Sequence, residues 1–135
     1  MANNIPLIKR YNSQQGQALV VLLVFMVVAI MMTSMAVALV IINATAASKL
    51  EQSDMALKLS ESGVENALLR LVRNPSYSGT DTFIIGSGTV TATVSGTNPI
   101  IIMSQGMQNT FVRTTSVSAS YVNTVLTVNS WKEVF

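Results

Sequence analysis

The chain has 135 residues, no cysteine, no histidine and a formal charge of +2. Without imidazole or thiol it can build neither a Ser-His-Asp triad, nor a cysteine nucleophile, nor a Cys/His metal site, and with no disulfide available its folded part is held by packing alone. From Gln17 onward six basic residues balance six acidic ones, so the positive charge belongs to the first sixteen residues and no basic patch points to nucleic acid.

Residues 1–16, MANNIPLIKRYNSQQG, are polar and mildly basic, and Pro6 with the NSQQG cluster argues against helix there. They read as a cytoplasmic leader. The stretch from Ala18 to Ile42 is uncharged and polar only at Thr33 and Ser34. At ~1.5 Å per residue a helix of this length reaches roughly 37 Å, against a hydrocarbon core of ~30 Å. This predicts a transmembrane helix over 17–43 in contact with the lipid bilayer, because in lipid a helix satisfies its own backbone. No charge occurs between Arg10 and Lys49. With Lys9 and Arg10 ahead of the span, the positive-inside bias places the N-terminus in the cytoplasm and the remainder outside the cytoplasmic membrane, on a single pass. Small residues at Ala29, Ser34, Ala36, Ala38 and Ala44 suit close approach of a second helix in lipid.

The pattern then becomes amphipathic without a break. Over 44–74 Leu50, Leu57, Val64 and Leu71 recur every seven residues, with Ser53, Ser60 and Ala67 three places after the first three. Leu68 and Val72 widen this seam, and Glu51, Lys58, Glu65 and Arg70 mark the polar back. Leu50, Leu57, Val64, Leu68 and Leu71 are therefore the expected helix–sheet packing residues. Asn74-Pro75 ends the helix, since the residue before a proline is pushed out of the α region. The span and the amphipathic part are expected to form one long helix.

Beyond the turn-rich Pro75 to Thr82 the periodicity is two. Phe83-Ile84-Ile85 is a short apolar run. Thr89 to Ser95 alternates with Val90, Ala92 and Val94 on one face, and Ile100 to Met103 follows Asn98-Pro99 and ends at Ser104-Gln105-Gly106. Thr110 to Tyr121 and Val125 to Trp131 make a hairpin around Val122-Asn123-Thr124, with a bulge expected near Thr114-Thr115. Residues 75–135 thus form an antiparallel meander of about four strands. A sheet this small cannot bury its apolar face on itself, and the amphipathic seam is the available cover. The expected fold is α+β, a long N-terminal helix packed by its outer half on a C-terminal antiparallel sheet. Twenty Ser or Thr after Asn74, beside very few charges, describe a solvated outer sheet face first, and an adhesive or glycan-bearing surface second.

This layout resembles the type IV pilins and the pseudopilins of type II secretion. The resemblance rests on a short basic leader, Gly16, and an unbroken apolar run from Gln17-Ala18-Leu19. It is supported by Glu61-Ser62-Gly63-Val64-Glu65-Asn66-Ala67-Leu68 at the helix end, and by Ile102-Met103-Ser104-Gln105-Gly106 ahead of a strand with Arg113. It implies cleavage between Gly16 and Gln17 by a prepilin peptidase, methylation of the new N-terminus, and insertion through an inner-membrane assembly platform into a filament of other pilin subunits. The family usually has Phe or Met after the cut and glutamate at the fifth mature position, where this chain has Gln17 and Val21. In the family, lack of that glutamate is typical of certain minor subunits at the filament tip. The resemblance therefore implies a minor or tip subunit, with no cofactor and no enzyme activity.

Two other readings compete. The A-x-A match Ala44-Thr45-Ala46 would suit an ordinary signal peptidase and a secreted domain, although an apolar core of ~7–15 residues is usual there. Alternatively the span is a permanent anchor displaying a small binding domain. Glu61 and Glu65 are spaced i,i+4 like an acid pair but have no catalytic partner in the sequence, which makes them structural.

Overall fold

The computed structural model describes Met1 and residues 14–135. Lys9, Arg10 and most of the leader lie outside the described residues. The chain divides into two compact units, 1–44 and 45–135. One helix, α1 (Gln14–Arg73), contributes to both. It begins earlier than expected, since Gln14, Gln15 and Gly16 are helical rather than part of a nonhelical tail. At the other end Asn74 closes it, its amide donating to the Arg70 carbonyl at 2.8 Å.

In the first unit every side chain from Gly16 to Ala44 is exposed. The two hydroxyls of the apolar run are satisfied within the helix. Thr33 Oγ1 donates to the Ala29 or Ile30 carbonyl at 3.0 Å, and Ser34 Oγ to that of Ile30 at 2.8 Å. This helix is long and apolar enough to cross a membrane.

In the second unit the rest of α1 packs on a five-stranded antiparallel meander of β1 (Gly79–Ile85), β2 (Gly88–Ser95), β3 (Ile100–Gln108), β4 (Phe111–Val122) and β5 (Val125–Val134), in the order β1-β2-β3-β4-β5. The α+β architecture is the expected one, with five strands rather than about four. Only residues 74–78 separate α1 from β1, with the turn at Pro75 and Ser76. Gly79 to Thr82, read as loop, extends the Phe83-Ile84-Ile85 run into a full strand, and hydroxyl pairs Thr80–Thr93 at 3.0 Å and Thr82–Thr91 at 3.3 Å tie it to β2. Strand β3 continues through Ser104-Gln105-Gly106 rather than ending there. The bulge is also displaced. Ser118 pairs with Ser130 but Ala119 with Val128, so the extra residue is Asn129 of β5, not a residue near Thr114-Thr115. The β4–β5 turn needs two consecutive left-handed residues, Asn123 (φ 52) and Thr124 (φ 65), the geometry of a tight hairpin that follows strand twist.

The core joins Val64, Ala67 and Leu71 of α1 to Val94, Ile100, Ile102 and Val117 of the sheet. The buried line of the helix is Ser53, Ala56, Ser60, Gly63, Ala67 and Leu71, each step three or four residues. This corrects the seven-residue seam. Val64 and Leu71 are buried as expected, and Leu57 and Leu68 are half-buried flanks. Leu50 is 73% exposed and Val72 62% exposed, so neither packs on the sheet. Leu50 precedes the first sheet contacts, made at Gln52 and Ser53 by Asn109 and Arg113. Val72 lies on the turn of the helix facing away. Ala56 and Leu59, which are buried, were absent from the expected seam.

Small residues dominate the line because the helix lies almost on the sheet backbone. A Cβ on Gly63 would fall 2.0 Å from Ser104 Oγ and 2.5 Å from Val90 Cγ1, and one on Gly106 would fall 2.2 Å from the Ala56 carbonyl oxygen and 2.4 Å from the Ser60 amide. Gly63→Ala is therefore expected to destabilise by about 1–3 kcal/mol through overpacking, less the ~1 kcal/mol alanine gains in helix propensity. Gly106→Ala should cost more, because the atoms it meets are helix backbone and cannot rotate away, whereas Gly16→Ala, with open space around it, should cost nothing. Thermal unfolding of the full chain in detergent, followed by circular dichroism, gives this ranking. Beneath Gly63, Ser104 Oγ is buried without a hydrogen-bond partner. Ser104→Ala removes that unpaired hydroxyl while keeping the small volume, so its melting temperature should equal or exceed that of the parent.

Candidate functional site

Two regions carry the residues singled out from sequence, and they belong to different units. In the first, Gly16, Gln17 and Val21 lie on α1, all three exposed. Gly16 has neither a positive φ nor a neighbour that a Cβ would strike, so the fold of this chain gives it no steric or conformational task. In that respect it differs from Gly63 and Gly106. Val21 is 63% exposed and continues the apolar surface without interruption.

In the second unit the polar contacts tie α1 to the sheet along its length. At its start Arg113 of β4 donates to Ser53 Oγ from Nε at 3.0 Å and from a terminal nitrogen at 2.8 Å, while its other terminal nitrogen pairs with Glu133 of β5 at 2.7 Å. Its guanidinium also lies 5.6 Å from the centroid of the Phe135 ring. One planar cation thus joins helix, strand β4 and the last strand, a task that uses the fixed fork of arginine. In the middle Ser60 and Thr115 share a buried hydroxyl pair at 2.7 Å, and Ser60 Oγ also reaches the Leu57 carbonyl at 2.8 Å. Near the end Tyr121 donates to the Leu71 carbonyl at 2.9 Å, supplying a partner to one of the acceptors that a helix C-terminus leaves open.

The last contact is a cluster of three ionisable groups. Arg70 pairs with Asp81 of β1 at 2.9 Å, donates from Nε to Asn66 Oδ1 at 3.0 Å and lies 5.5 Å from the centroid of the Tyr77 ring. The Tyr77 hydroxyl donates to the same Asp81 carboxylate. That hydrogen bond, reinforced by partial burial, holds the Tyr77 hydroxyl above its ordinary value near 10. The three groups are consumed by one another, and the arrangement closes the loop between α1 and β1 rather than presenting a reactive atom. Glu61 is half-buried and Glu65 exposed on α1, and no third carboxylate joins them. Among the described residues no cluster of three Asp or Glu side chains could hold a metal ion.

Sequence reasoning thus placed Val64 and Leu71 correctly at the helix–sheet contact. It missed the Arg113–Ser53 bond and the role of Asp81. The available signals were a lone arginine in an otherwise uncharged strand and a lone aspartate in another, each requiring a partner once half-buried. Comparison with protein-family models, with curated proteins and with solved structures finds no match to this chain.

The Tyr77 contact makes stability depend on pH in a definite direction. A hydroxyl whose pKa is raised on folding holds its proton more tightly in the native state. Its contribution is complete below about pH 10 and is lost as the pH rises through the native value. The difference in melting temperature between parent and Tyr77→Phe should therefore shrink above pH 10. A difference constant from pH 8 to 11 would remove Asp81 as the cause.

Proposed function

We propose that the chain is a structural subunit of a type IV pilus-like or pseudopilus filament, a minor or tip subunit that helps initiate assembly. The observation that carries this reading is the first part of α1, whose apolar side chains from Ala18 to Ile42 are exposed on every side and whose two hydroxyls are satisfied internally. A helix apolar all round is stable only in lipid or among similar helices. A filament subunit meets both, first waiting in the cytoplasmic membrane and then entering a bundle of like helices in the pilus. In lipid the association depends on packing rather than hydrophobicity, which suits the small residues Ala29, Ser34, Ala36 and Ala38.

Gly16 supports the same reading, since a glycine without a steric task in its own fold suits recognition by a prepilin peptidase acting before Gln17. Val21 supports the tip position. A carboxylate there would cost ~2.5–3.5 kcal/mol in the membrane and is useful only where it pairs with a neighbouring N-terminus. A subunit with valine offers no such pair. In this reading residues 45–135 lie outside the membrane and the leader, 1–16, in the cytoplasm.

Mass spectrometry of the mature N-terminus, in cells with and without prepilin peptidase, tests the proposal. A methylated Gln17 start that requires the peptidase is the expected result. An intact Met1 or Ala2 start would leave a permanently anchored single-pass protein displaying a small binding domain, and a start at Ala47 a secreted one.

A further inference from the structure

One end of the sheet lies where α1 first meets it. Asn109, in the β3–β4 turn, donates to Gln52 of α1 at 3.1 Å, and Gln108 beside that turn donates to Ser87 in the β1–β2 turn at 2.9 Å. In an antiparallel meander both turns and the last residues of β5 share this end.

The outer face of the sheet, away from α1, changes character here. Elsewhere on that face hydroxyls pair with hydroxyls, Thr80 with Thr93 and Ser118 with Ser130. Apolar residues among them stand singly, Ile101 between Ser95 and Ser118 and Met103 between Thr93 and Ser116. The rung nearest the turns instead runs Ile84, Thr89, Met107 and Val112, with Met107 directly opposite Val112. Ile84 is 75% exposed, Met107 44% and Val112 47%. This rim is also neutral. Gly86, Ser87, Asn109 and Thr110 of the two turns carry no charge, and Arg113 of β4 is matched by Glu133 at 2.7 Å. On the nearby turn of α1, Lys49 and Glu51 have opposite signs.

The chain itself restricts what can cover the rim. Gln52 is ten residues beyond Ile42, the last residue of the apolar run. As helix these ten steps rise only ~15 Å, and the headgroups on one side of a bilayer occupy ~5–8 Å of that. What remains is about 10 Å or less, no more than the ~10–12 Å diameter of a single helix with its side chains. A folded partner does not fit between the rim and the membrane, whereas the membrane surface is within reach. We propose that the rim docks on the bilayer that α1 crosses, at the leaflet where α1 leaves it, a step that rests on reading residues 18–42 as a span. Ile84, Met107 and Val112 enter the boundary between headgroups and acyl chains, as the apolar face of an interfacial helix does. Because the rim is neutral, the contact needs no anionic lipid and is not weakened by salt, in contrast to a basic surface.

The chain has no cysteine, so introduced cysteines report single positions. The test uses the full chain in nanodiscs of phosphatidylcholine, one chain per disc, with a fluorescent label at Ile84→Cys or Val112→Cys and a nitroxide quencher on the lipid. Leu39→Cys, in the apolar run, and Val125→Cys, 60% exposed at the opposite end of the sheet, are the references. A nitroxide at headgroup level is expected to quench the labels at 84 and 112 about twofold or more, as burial to a depth of ~5–10 Å requires. The label at 125 should be unaffected, and added salt should change none of these values. Met107→Asp should abolish the quenching at 112 by placing a charge on the rung. If the labels at 84 and 112 are quenched no more than that at 125, while acyl-chain nitroxide quenches the label at 39, docking is overturned and the span stands. An unquenched label at 39 would overturn the span and the docking together. Labels at 84 and 112 that become shielded only when a second chain enters the disc would overturn docking in favour of a second copy on the rim.

Discussion

The second unit depends on how closely α1 approaches the sheet. Gly63 on the helix and Gly106 on β3 allow the two backbones to meet with almost nothing between them, and the helix presents Ser53, Ala56, Ser60 and Ala67 along the same line. Larger side chains would hold helix and sheet at the ordinary spacing set by interdigitated apolar groups. The short approach in turn makes the polar contacts possible. A serine hydroxyl is long enough to reach Thr115 from the helix, and Ser53 is within reach of Arg113, only because the surfaces are so near. The chain has no cysteine, so no disulfide adds to this contact.

A close seam has a consequence for coverage. Dense packing at the middle of the sheet buries Val90, Ile102 and Val117, while the edge strands keep Ile85 and Trp131 partly exposed on the helix side. The two edges then need different treatment. At β5, Glu133 is engaged by Arg113, and the bulge at Asn129 disrupts pairing. At β1, Asp81 pairs with Arg70 and accepts from Tyr77, which steadies the loop from α1.

Helix α1 itself is under two regimes. Over its apolar run the demand is that no polar group be left unmet, and Thr33 and Ser34 answer it by bonding to carbonyls of the preceding turn. Over the sheet-facing part the demand is for small volume on one face, answered by Ser, Ala and Gly. Neither regime favours the best helix formers throughout, since Val and Ile on the apolar run and Ser and Gly on the sheet-facing line all rank below alanine.

Much of this follows from local pattern. An uncharged run of this length, a change to one-sided apolar spacing, the Asn74-Pro75 stop and period-two alternation after it are each set by neighbours along the chain, so the helix, the antiparallel sheet and their pairing could be read from sequence. Val64 and Leu71 were identified as helix–sheet contacts for the same reason. What tertiary structure decided was set by groups distant in sequence. Gly106 resembled a strand end because a glycine in a strand is a turn signal until a helix is known to lie upon it. Leu50 resembled a core residue because hydrophobicity alone does not tell where the sheet begins. Gly79 to Thr82 resembled a loop because Thr80 and Thr82 gain strand character only from Thr93 and Thr91. Arg113 and Asp81 showed their roles only when folding brought Ser53 and Arg70 to them, since the strength of a polar contact depends on burial and distance that the linear order does not contain.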